Sequence, residues 1–82
     1  MWRHSGHALA EMTRRGIARE VVDQVLRAPG QRLEERDGIL ALQSVIEFPD
    51  GRKFLVRVFV NRDEPPVVVT VYRTSKIAKY WR

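Results

Sequence analysis

The side chains with chemistry to offer in this sequence are few. His7 lies near the start of a helical stretch, and Arg15 follows eight residues later. Tyr72 and Lys76 sit close together near the end. Imidazoles give and take protons near neutral pH, and phenols can donate a proton or stack on a base. Arginines and lysines steady negative charge that develops on phosphate. Together these groups suit metal-independent RNA cleavage. That reaction needs a proton acceptor for the 2′-hydroxyl, a proton donor for the leaving oxygen, and cations around the phosphorane. The RNA brings its own nucleophile. His7, Arg15, Tyr72 and Lys76 are the candidate catalytic residues, and Arg36, Arg57, Arg73 and Lys79 are the candidate RNA contacts.

Other chemistries lack their parts. The chain has no cysteine, so neither a thiolate nucleophile nor a thiolate metal site exists. His4 and His7 are three apart but have no third ligand nearby, and no HExxH motif occurs. There is no Gly-rich phosphate loop, no GxSxG elbow and no dinucleotide fingerprint. No metal and no cofactor is expected. Each candidate also has a plainer reading. His7 could be a helix-start residue bonded to backbone, and any one arginine a solvated surface charge. Ile77, Tyr80 and Trp81 in the basic-aromatic tail 75–82 could simply dock on the core.

The charge favours a polyanionic partner. Fifteen Lys and Arg stand against ten acids, a net charge of +5, and arginine supplies most of it. RNA or an acidic protein would fit such a surface. The apolar runs are too short for a membrane span, and the start lacks the apolar stretch of a secretory signal. The expectation is a soluble, cytoplasmic chain forming one domain over residues 1–82, its oligomeric state open.

The elements that must position these groups are marked by Gly16, Pro29-Gly30, Pro49-Asp50-Gly51 and Pro65-Pro66. Ala8, Leu9 and Met12 predict a helix over about 6–15, capped by Ser5 and stopped at Gly16. Val21, Val22, Val25 and Leu26 predict a second over about 19–27. Strands are expected over about 39–48, 53–61 and 67–74, with Leu40, Leu42, Ile46 and Phe48 on one face of the first and Phe54, Val56, Val58 and Val60 on one face of the second. Gln43, Lys53, Arg57 and either Tyr72 or Arg73 would lie on the other, partly open face. The expected architecture is α+β: two N-terminal helices packed on a three-stranded antiparallel meander, with a short helical turn at the C-terminal end.

The order of these features resembles a small bacterial family of uncharacterised domains with a Ser-x-His-Ala start, an Arg-Gly-Ile helix end and a β-meander. Here the matching residues are Ser5, His7, Ala8, Met12, Arg15, Gly16, Ile17, Val22, Leu26 and Pro29, then Pro49-Asp50-Gly51, the Phe54–Val60 strand and "VVVTVYRTSK". That family is similar to the RelE/BrnT-like toxin–antitoxin ribonucleases. The resemblance implies a compact ribonuclease-like fold, RNA cleavage, and an acidic antitoxin or immunity protein as partner. It carries roles onto His7, Arg15, Tyr72 and Lys76. The chain departs from the pattern at Ala18, where a capping hydroxyl is common, and at Glu11, where many members carry arginine.

The functional expectation is a metal-independent endoribonuclease toxin. The alternative is a non-catalytic basic module that binds RNA or a protein, and a third is an oligomer built on an exposed sheet edge. His7 and Arg15 are about 12 Å apart along a helix, so one phosphate cannot bridge them. Whichever end of the helix meets the last strand decides which of the two can belong to a site.

Overall fold

Ser5 starts the first helix as its chemistry dictates, its hydroxyl accepting a hydrogen bond from the Ala8 amide at 3.0 Å. Gly16 ends the same helix at a φ of 65°, the left-handed region that glycine enters without a Cβ penalty. The computed structural model describes residues 2–82. Its elements in chain order are β1 (Arg3–His4), α1 (Gly6–Arg14), α2 (Arg19–Arg27), β2 (Gln31–Arg36), β3 (Ile39–Glu47), β4 (Lys53–Val60), β5 (Val67–Thr74) and α3 (Ile77–Tyr80).

The five strands form one sheet in the order β1-β5-β4-β3-β2. The four long strands pair antiparallel, and β1 runs parallel to the start of β5 through Arg3 opposite Val67 and His4 opposite Val68. Helices α1 and α2 cover one face. Ala8, Met12, Val22, Val25 and Leu26 from the helices pack on Leu42, Ile46, Val56, Val58 and Val71 from the strands and on Phe48 just past β3. Each of these side chains larger than alanine, taken fully out of water, contributes roughly 1.5–3 kcal/mol. That burial holds α2, whose valines are poor helix formers and whose Ala18 cap makes no side-chain hydrogen bond.

The three-stranded meander is thus replaced by a mixed five-stranded sheet. The strand Gln31–Arg36 reads "QRLEER", too polar to announce itself, because it is an edge strand whose charges discourage pairing with another chain. It pairs with β3 across Asp37-Gly38, where Gly38 has a φ of 71°. The strand Arg3–His4 is two residues long, and its parallel partner lies more than sixty positions away, beyond the reach of local pattern. The second face is open in part, as expected, with Val45 and Lys53 exposed on it. Residues of α3 and the chain end lie on it, with the Tyr80 carbonyl accepting from Gln43 Nε2 at 3.1 Å. Gln31 holds Arg82 by two hydrogen bonds, of 2.7 and 3.1 Å.

His4 introduces a pH dependence. Its Nε2 is buried without a hydrogen-bond partner, and Nδ1 lies 3.4 Å from Arg19. Burial, then the nearby Arg19 charge, lowers its pKa from 6.5, against a smaller opposing effect of Asp23. The folded chain therefore resists protonation that the unfolded chain accepts. Stability is full above pH 6.5 and falls as pH drops through the depressed folded pKa. Urea midpoints at pH 7.5 and pH 5 should show this loss, and His4→Gln should shrink the difference.

Candidate functional site

Helix α1 runs alongside β5 with its start near Val68 and its end near Tyr72. Ser5 fixes the first point: its amide donates to the Val68 carbonyl at 2.9 Å and its hydroxyl to the Val69 carbonyl at 3.1 Å. Arg15 fixes the second, its guanidinium carbon standing 5.9 Å from the centre of the Tyr72 ring. So Arg15 meets the last strand's chemistry and His7 does not. His7 is exposed in the first turn of α1, and no hydrogen bond or ion pair links it to the other candidates.

Glu11 organises the arginines rather than weakening them. It accepts from Arg14 at 2.8 and 2.9 Å and from Arg15 Nε at 2.8 Å. These hydrogen bonds hold its carboxyl down at about 2, so the clasp persists below the usual carboxylate range.

Tyr72 projects from the face opposite the helices. Across the β4–β5 pair it faces Arg57, whose Nη1 donates to the Tyr72 hydroxyl at 2.8 Å. Arg57 is only 4% exposed. Its Nε donates to Gln43 Oε1 at 2.8 Å, its Nη2 lies 3.7 Å from Glu35, and its guanidinium stacks 4.7 Å from the Tyr80 ring centre. Arg57 is therefore not a surface contact for RNA. It positions the Tyr72 phenol, and the ring of Phe59 stacks on that phenol with centroids 5.8 Å apart.

A groove of about 480 Å³ opens beside Tyr72, bordered by Glu35, Arg36, Ile39, Phe59, Val69 and Thr70. The pairing of β2 with β3 slips between Glu34 and Arg36, and that of β4 with β5 slips between Phe59 and Val60. The extra residues are Glu35 and Val69, so both irregularities border the same groove. Bulges commonly re-aim side chains beside functional sites.

The remaining candidates scatter. Arg73, the neighbour of Tyr72, points to the helix-covered face and lies 4.4 and 4.5 Å from the ring centres of Phe48 and Phe54. Lys76 is exposed just before α3, and Lys79 is exposed beside Tyr80 at 5.4 Å from its ring centre. The structure thus gathers Arg15, Arg36, Arg57 and Tyr72, and leaves out His7, Arg73, Lys76 and Lys79. Glu35, Phe59 and the orienting role of Glu11 do not stand out by residue type. The Asp37-Gly38 turn signal, followed back into β2, is the one cue that places Glu35 opposite β3.

Among the described residues, no group of three or more His, Asp or Glu could hold a metal ion. No helix of the described residues is long and apolar enough to cross a membrane.

The fold and this arrangement define a small α+β domain with a tyrosine clamped between arginines at one edge of its sheet. The chain belongs to a family described as a domain of unknown function, DUF4258, whose profile matches residues 4–73. No curated protein and no solved structure matches the chain. The matched span includes Arg15, Glu35, Arg57 and Tyr72 and stops before Lys76 and Lys79.

Proposed function

We propose that the chain is a metal-independent endoribonuclease of the toxin type, with its reaction centre at Tyr72. One observation carries the reading: the Tyr72 hydroxyl accepts from the buried Arg57 while Arg15 stands over its ring. A phenol oxygen that accepts one hydrogen bond still has its own proton to donate. Tyr72 would give that proton to the departing 5′-oxygen. The Glu35 carboxylate, at the rim of the same groove and about one-third exposed, would take the proton of the 2′-hydroxyl. The 2′-oxygen then bonds to phosphorus, the bond to the 5′-oxygen breaks, and a 2′,3′-cyclic phosphate forms. Arg15 and Arg36 would offset the charge gathering on phosphorus. An acidic antitoxin-like partner would inhibit by covering those same guanidiniums.

A second reading is favoured by the isolation of His7, which leaves no imidazole at the groove. On that reading the edge binds RNA, with bases stacked near Phe59 and Tyr72, and cuts nothing. Incubating the purified chain with single-stranded RNA in EDTA separates the two. The enzyme should yield fragments ending in cyclic phosphate, whereas the binding module should retard intact RNA, with affinity falling steeply as salt rises.

A further inference from the structure

Another depression in the surface lies on the other side of β5. It is a shallow cleft of about 660 Å³, lined by Arg14, Arg15, Arg73, Phe54, Thr74 and Ser75 among others. Three guanidiniums border it, and they are held in place by different means. Glu11 clasps Arg14 and Arg15. Arg73 rests against Phe48 and Phe54, two rings that themselves meet edge to face at 5.3 Å. Among the described residues no carboxylate lies within ion-pair distance of Arg73. A guanidinium fixed by aromatic faces, with its donors free, is arranged for a planar, bidentate contact with an oxyanion.

From this we infer that the cleft is a phosphate-binding subsite, taking a phosphate of the same RNA strand whose neighbouring linkage reaches Tyr72. The inference rests on the RNA reading only for what carries the phosphate. Arg15 connects the two places, because it lines the cleft and also stands over Tyr72. A strand crossing the edge of β5 would therefore meet fixed positive charge on both sides. The end of α1 points its carbonyls this way and by itself would repel an anion. Those carbonyls are engaged: Glu11 O accepts from Arg15 N, Met12 O from Ile17 N and Thr13 O from Gly16 N. Three arginines less one glutamate leave the cleft cationic. Its shallow form suits a polymer passing through.

Inorganic phosphate is the probe. In 15N NMR titrations of the full chain, the side-chain Nε signals of Arg73 and Arg15 should shift and saturate together. The Arg62 signal, from a loop residue paired with Glu34 at 3.1 Å, should not follow them. Arg73→Met should weaken phosphate binding about tenfold or more, the worth of a charge-assisted hydrogen-bond pair. Arg14→Met offers a second variant that keeps the fold, since the Arg14 side chain is 64% exposed, and it should weaken binding severalfold. Shifts that never saturate, or that Arg62 shares equally, overturn the subsite, as does unchanged affinity in both variants. RNA scission without a saturable phosphate site would sink the subsite alone. A saturable site in a chain that neither binds nor cuts RNA would sink the RNA reading alone.

Discussion

Replacing Tyr72 by phenylalanine is expected to slow RNA scission by roughly two to four orders of magnitude, the usual worth of a positioned proton-transfer group. The change removes one oxygen. The ring still stacks on Phe59 and still lies under Arg15, so base stacking and phosphate attraction persist. Affinity for a 2′-deoxy analogue should therefore move by no more than about 1 kcal/mol, one hydrogen bond's worth. A variant that cuts as fast as wild type removes Tyr72 from the chemistry. A variant that loses binding and cutting in equal measure makes Tyr72 a binding residue instead.

Arg57→Ala is expected to have the largest effect on stability, about 3 kcal/mol. The guanidinium joins Gln43, Tyr72 and Glu35 and packs on Tyr80 beneath the C-terminal turn. Truncation leaves the buried Gln43 Oε1 without its donor and opens a void under Tyr80. Each orphaned buried polar group costs about 1–3 kcal/mol, and lost packing adds to that. Combined with Tyr72→Phe, the loss should be less than the sum, by about 1 kcal/mol, because the phenol's orphan is removed as well. Urea denaturation of the two single variants and the double variant measures this. Additive losses would mean that the Arg57–Tyr72 hydrogen bond holds nothing in place.

Much of the helix-covered face is legible in residue spacing alone. Ala8 and Met12, then Val22, Val25 and Leu26, sit at helical spacing because one stripe of each helix is buried. Leu42, Ile46, Val56 and Val58 alternate because one face of the sheet is buried. What spacing hides is set by long-range pairing. β1 exists because Arg3 and His4 meet Val67 and Val68, and β2 exists because Gln31 to Arg36 follow β3 backwards. Neither carries an apolar pattern of its own.

The site is half legible for a related reason. Residue types single out Arg15 and Tyr72, and the structure brings them together. The same types single out His7, which α1 holds two turns away, at the opposite end of the helix from Tyr72. Arg57 reads as an exposed cation because its strand neighbours alternate around it. Only the docking of Tyr80 over it shows that it is buried. Which of Tyr72 and Arg73 faces Arg57 depends on the register of β5, and the slip at Phe59 fixes that register.

The direct measurement is the cutting of DNA strands that carry a single ribonucleotide in a randomised deoxy sequence, incubated with the wild-type chain in EDTA. With the 2′-hydroxyl as nucleophile, each strand that is cut should be cut once, on the 3′ side of the ribose, leaving a cyclic phosphate there. Cutting at deoxy positions, or binding with no cut in any sequence, would contradict a metal-independent endoribonuclease centred on Tyr72.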